Sequence, residues 1–203
     1  VDLRKRWFET WQLLGLAGNA ELLQELLRRY KEPQRSYHTL QHLEECFAKL
    51  DELRGLAEHP AEVELALWFH DAIYEPRRGD NEQRSADWAR ASLLAAGGAP
   101  EAAGRVHALI MATRHAVEPS GMDQQVLIDV DLSILGAGAQ RFDEYEAQVR
   151  EEYRWVPKPI YRRKRAEILR SFLERPSIYS TPRFVERYEK QARANLQRSL
   201  AKP

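Results

Sequence analysis

The chain has 203 residues, enough to bury a substantial core within one domain. Its 31 Lys and Arg balance 31 Asp and Glu, and a formal net charge of zero gives no reason to expect a nucleic-acid or acidic-membrane partner. Cys46 is the only cysteine, which excludes an intramolecular disulfide, argues against a cysteine-based zinc site and suits a reducing cytosol.

The opening residues Val1-Asp2-Leu3-Arg4-Lys5-Arg6 lack the apolar core of a signal peptide. No apolar run approaches the roughly 18 residues of a membrane span. The expectation is a cytoplasmic, single-domain protein with no membrane partner.

Leu3, Trp7, Phe8, Trp11 and Leu14 recur at helical spacing and predict a first helix. Gly15 and Gly18 end it, and Asn19 is placed to cap a second, with Leu22, Leu23, Leu26, Leu27 and Tyr30 on its inner face. Pro33 breaks that helix. Ser36 is placed to cap a third helix, reaching about residue 56. His38 and His42 would then stand one turn apart on one face, the spacing of two imidazoles sharing a site. His59, in the following turn, reads as solvated.

The next run, Val63 to Tyr74, is apolar on most faces and reads as a buried helix ending in His70-Asp71. An imidazole beside a carboxylate is costly to bury unless something pairs with both. A divalent cation beside the helix would do so; a core histidine with a capping aspartate is the simpler account of the pair taken alone. A polar loop follows, then a helix with Asp80 or Asn81 as cap. Glu82 falls in its first turn, where the helix dipole favours a carboxylate and where it could also stand near a metal. Pro100 opens a helix to about residue 114, with His107 filling space and His115 at its end.

Residues 125–136 are largely apolar yet carry Asp129 and Asp131. Two residues apart on a helix, these face roughly opposite ways, so one joins a given site and the other bonds to backbone or an arginine. Phe142, Tyr145, Val149 and Tyr153 mark another helix, and Ile168, Leu169, Phe172 and Leu173 the next. A last helix covers 184–200. Arg162, Arg163, Lys164 and Arg165 read as a solvated face or as donors to an anionic substrate group. No strand alternation, internal repeat, phosphate-cradling glycine loop or serine nucleophile elbow is present. The predicted fold class is therefore all-α, with nine or ten helices.

His38 with His42, then His70-Asp71, then Asp131 follow an order that resembles the HD superfamily of metal-dependent phosphohydrolases. The wider pattern resembles a group of bacterial proteins identified as predicted HD phosphohydrolases: Tyr37-His38, Trp68-Phe69-His70-Asp71, Asn81-Glu82 with Ser85, Asp131-Leu132 and Arg150-Glu151-Glu152-Tyr153. The motif core covers 35–136, with helices over 1–34 and 138–203 packed on it. The resemblance implies a helical HD bundle and a metal set of His42, His70, Asp71 and Asp131, with Asp131 rather than Asp129 as the last ligand.

Tyr37-His38-Thr39-Leu40-Gln41-His42 is also similar to the Tyr-His-Asn-x-x-His start of the cyclic-nucleotide phosphodiesterase site. That likeness implies His38 as proton donor to the leaving oxygen and His42 as ligand; with Thr39 in place of Asn, the two roles can exchange. Imidazole and carboxylate donors suit manganese, iron, cobalt, nickel, zinc or magnesium. One ion or two is open, with Glu82 and His115 as candidates to bind a second ion or line the substrate. The implied activity is hydrolysis of a small phosphate ester, nucleotides included. The alternatives are a mixed-valent di-iron oxygenase, drawing on His107 or His115 as extra ligands, and a non-catalytic ligand-binding protein.

Overall fold

A computed structural model describes residues 2–115 and 117–202. Among the described residues there are ten α-helices and no strand. They are α1 (Leu3–Leu13), α2 (Ala20–Arg29), α3 (Leu40–Leu53), α4 (Pro60–Phe69) and α5 (Asn81–Ala95), then α6 (Pro100–Ala112), α7 (Met122–Asp131), α8 (Ala139–Glu152), α9 (Lys158–Leu173) and α10 (Pro182–Leu200). Short 3-10 stretches follow α3 (Arg54–Leu56) and α7 (Leu132–Gly136). None of these helices is long and apolar enough to cross a membrane.

The N-terminal caps are as the side chains dictate. Asp2 accepts the Lys5 N–H at 3.0 Å, and Asn19 accepts those of Glu21 and Leu22 at 2.8 and 3.1 Å. Trp7 of α1 meets Trp11 and Trp68 edge-on, with ring centroids 5.3 and 5.2 Å apart, a favoured aromatic geometry. One hydrophobic core draws on residues from Trp7 to Leu196.

Helix α4 is its axis, packed by α1, α3, α5, α6 and α7, and buried without a break from Glu62 to Phe69. Its two buried carboxylates are both paired, as burial requires. Glu62 takes Arg105 in a bidentate bond, and Glu64 takes Arg6, Arg54 and Thr10.

The end of α4 is where the His70-Asp71 pair predicted it, and the start of α3 is not. Helix α4 stops at Phe69, with His70 as its C-cap and Asp71 in the turn beyond. The buried Arg35 guanidinium accounts for the stop. It donates to the carbonyls of Asp71 at 2.7 Å, Ala72 at 3.0 Å and His38 at 3.0 Å, groups that would otherwise be unpaired at a helix end. Helix α3 starts at Leu40, not near Ser36, because the backbone N–H groups of Ser36, Tyr37 and His38 all donate to Glu152. His38 therefore precedes the helix that carries His42, and the two do not share a helix face.

Two smaller expectations are also corrected. Asp80 does occupy the N-cap position of α5, but its side chain makes no capping bond: it pairs with Arg78, and Asn81 closes the preceding loop onto the Glu75 backbone. His59 is not merely solvated, since its Nδ1 lies 2.8 Å from the Asp123 carboxylate.

Candidate metal centre

Four side chains from α3, the end of α4 and the end of α7 meet in one place. His42 Nε2 and His70 Nε2 are 3.1 Å apart. Asp71 Oδ2 lies 3.0 Å from the His70 nitrogen and 3.5 Å from that of His42. Asp131 Oδ1 lies 3.4 Å from His42 Nε2 and 3.7 Å from His70 Nε2. Both histidines are buried, while the two carboxylates are each partly open to a cleft. The last turn of α4 fixes the His70 tautomer: its Nδ1 is 2.8 Å from the Leu67 carbonyl, which can only accept, so Nδ1 carries the hydrogen and the Nε2 lone pair faces the cluster.

This donor set fits a divalent cation. Donors that share one ion at about 2.0–2.2 Å stand at comparable mutual separations, and a His70 Nε2 freed by a backbone hydrogen bond on Nδ1 is the usual arrangement of a ligating imidazole. The electrostatics agree. Burial alone would raise the Asp131 carboxyl, yet His115, His42 and His70 hold it far below the usual carboxylate range. Burial opposes ionisation of Asp71 too, and His70, His38 and His42 outweigh it. Conversely, His70 lies above its ordinary value despite burial because Asp71 and Asp131 face it. The cluster draws positive charge to itself.

Cys46 belongs to this neighbourhood, so the expectation of a site without any cysteine is corrected: a lone thiol can still stand among histidines and carboxylates. His42, Cys46, His70 and Asp131 are a group whose ligand atoms lie within 4.8 Å of one another and which could hold a metal ion. Cys46 sits one turn after His42 on α3, with Sγ 3.7 Å from both ring nitrogens. Burial pushes its thiol pKa up, which favours the neutral S–H over a thiolate ligand. The His-x-x-x-Cys spacing was the signal that could have found it.

The cluster opens onto a cleft of about 720 Å³. His38, Asp71, His115 and Asp131 line its inner end, and Glu82, Arg78, Arg114, Lys164 and Arg165 bring charge to its walls. Tyr74, Tyr145, Tyr153 and Trp155 give it aromatic surface. His115 Nε2 is 3.1 Å from Asp131 Oδ2, and its backbone is left-handed at φ 53°, an uncommon conformation for a non-glycine residue. Glu82 has Arg114 as its charged neighbour at 3.6 Å. From the basic run, Arg165 is held by Glu146 and lies over the Tyr145 ring, 5.0 Å from its centroid, so it is not simply a solvated charge.

Asp129 and His107 lie outside the cluster. Asp129 is fully buried and accepts from Ser180 N–H, Thr181 N–H and Thr181 Oγ1 at 2.6–2.7 Å, at the start of α10. His107 Nε2 faces Asp87 and Gln83 at 3.1 and 3.2 Å, and so is engaged elsewhere than at the centre where it was considered as an extra ligand. The residue that sequence reasoning left without a role is Glu152, whose carboxylate also lies 2.7 Å from His38 Nδ1 and from the Tyr74 hydroxyl. No protein-family model, curated protein or solved structure matches this chain.

Proposed function

We propose that this chain is an HD-type, metal-dependent phosphohydrolase acting on a small phosphate ester. His42, His70, Asp71 and Asp131 would hold the ion, and His38 would donate a proton to the leaving oxygen. The observation that carries this reading is the meeting of two imidazoles and two carboxylates at the inner end of a cleft that His38 also lines. An adjacent His-Asp at the end of a buried helix, a histidine from an earlier helix and an aspartate from a later one match what the HD resemblance implies.

A bound divalent ion supplies Lewis-acid polarisation of a phosphoryl oxygen and lowers the pKa of water toward about 7. The chain's own residues do the rest. His42 and His70 would give ring nitrogens to the ion in exchange for any proton they hold, and Asp71 and Asp131 supply the charge that makes a cation welcome. Arg78, Arg114, Lys164 and Arg165 stand on the walls, each beside a carboxylate (Asp80, Glu82, Glu167 and Glu146), so a phosphate would have to compete with those partners for their N–H groups. His38 carries an exchangeable proton at the edge of the site, a role typically worth about 10²–10⁴-fold. The cleft volume accommodates a phosphate with an organic group, nucleotides among them. The donors suit manganese, iron, cobalt, nickel, zinc or magnesium, one ion or two.

A screen of phosphate esters, alkyl, sugar, nucleoside and nitrophenyl, against metal-free protein reloaded with each ion tests this reading. Hydrolysis should require metal, and His70→Ala and Asp71→Ala should lose activity and metal together. Full turnover by metal-free protein, or no turnover of any ester by metal-loaded protein, overturns it. Dioxygen uptake by the iron-loaded protein would point to the oxygenase alternative instead.

A further inference from the structure

Glu152 is a buried carboxylate at the C-terminal end of α8, and its hydrogen bonds converge on one short segment. Oε1 accepts the backbone N–H groups of Ser36, Tyr37 and His38 at 2.8, 2.8 and 3.0 Å. Oε2 lies 2.7 Å from both His38 Nδ1 and the Tyr74 hydroxyl. An ionised carboxylate only accepts, so the Tyr74 O–H donates and His38 Nδ1 carries a hydrogen. The Tyr74 ring lies against that of His38, with centroids 4.1 Å apart and planes at 28°, and Arg35 takes the His38 carbonyl. One ring nitrogen is thus committed to the protein, leaving Nε2 as the atom His38 can offer to the cleft.

We propose that Glu152 is the positioning residue for His38: it anchors the 36–38 turn with one oxygen and with the other fixes the Nδ1–H tautomer and the ring plane, so that Nε2 serves the substrate. This rests on the reading of His38 as proton donor. In the doubly protonated ring, Nδ1–H stays on Glu152 while the Nε2 proton passes to the leaving oxygen. The ring is left neutral as the Nδ1–H tautomer, and a proton from water restores Nε2–H. Glu152 touches no reacting atom.

A carboxylate that merely anchored the turn would predict a different outcome for Glu152→Gln. The Gln carbonyl keeps the three backbone donors, so its NH₂ must face Nδ1 and the Tyr74 hydroxyl. Nδ1 must then accept, and the ring hydrogen moves to Nε2. Long-range ¹H–¹⁵N spectra of histidine-labelled protein at alkaline pH, where the ring is neutral, read this directly. The wild type should show His38 as Nδ1–H and the Gln variant as Nε2–H. In parallel, kcat on an alkyl phosphate should fall about 100-fold with KM nearly unchanged, and kcat on a nitrophenyl ester less than about tenfold, because that leaving group departs without a proton.

An Nε2–H tautomer in the wild type overturns the proposal, and that spectrum decides even if the variant fails to fold. An unchanged tautomer in a folded Gln variant, or equal losses on the two esters, also overturns it. If no ester is hydrolysed by any form, the functional reading fails, and with it His38's role as donor, while the spectra still report whether Glu152 sets the tautomer.

Discussion

At the scale of single residues, His38 and Glu152 carry separate, measurable consequences. His38→Ala should slow esters with poor alkoxide leaving groups by about 10²–10⁴-fold and an activated nitrophenyl ester far less. Its metal content should stay near wild type, because His38 lies outside the donor group. Elemental analysis beside the two rate measurements checks both statements; loss of metal would move His38 into the ligand set. Glu152 predicts a pH dependence of stability. Burial would raise its pKa, but His38 and the backbone N–H groups of the turn lower it from 4.5 to about 2. A depressed carboxylate pKa contributes stability that is fully present above the unfolded value of 4.5 and is lost as pH falls through about 2. The gap corresponds to about 3 kcal/mol. Urea unfolding across that window should show wild type losing stability more steeply than Glu152→Gln; parallel curves would refute it.

Between elements, Asp129 and Asp131 show how two residues only two positions apart can part company. Asp129 ties the end of α7 to the start of α10 by three hydrogen bonds, whereas Asp131 faces the cluster. Asp129→Asn should cost about 1–3 kcal/mol in chemical denaturation while metal content holds, because one carboxylate oxygen that accepts two bonds becomes an amide that cannot. Asp131→Asn should instead lose metal, and the metal-free protein should lose stability as well, because His42, His70 and His115 are left facing a neutral amide in place of the carboxylate they pair with. The helical periodicity, the Asn19 cap and the apolar run that ends in His70-Asp71 were all legible in the sequence, because each is a property of neighbours within a turn or two. The start of α3 was not. Glu152 sets it from 114 positions away, and local propensity contains no trace of such a partner. The grouping of His42, His70, Asp71 and Asp131 was read from family likeness, and Cys46 was missed because one cysteine was weighed only as a disulfide or zinc-cluster member.

Taken whole, the molecule packs α1, α3, α5, α6 and α7 onto α4, so ligand binding at its end should register as global stability. Free metal at about 100 times its Kd stabilises a folded protein by about 2.7 kcal/mol, which for a chain of this size raises Tm by about 5–10 °C. Thermal unfolding with and without chelator should show that shift in the wild type and none in His70→Ala. A wild-type Tm indifferent to every candidate ion would mean that the cluster binds none. Glu152 lends the assembly a direction in time. All four candidate donors lie at or before Asp131, whereas the carboxylate that shapes the 36–38 turn arrives only with the end of α8. A chain emerging residue by residue therefore carries all four candidate donors before it carries the carboxylate that holds His38 in place.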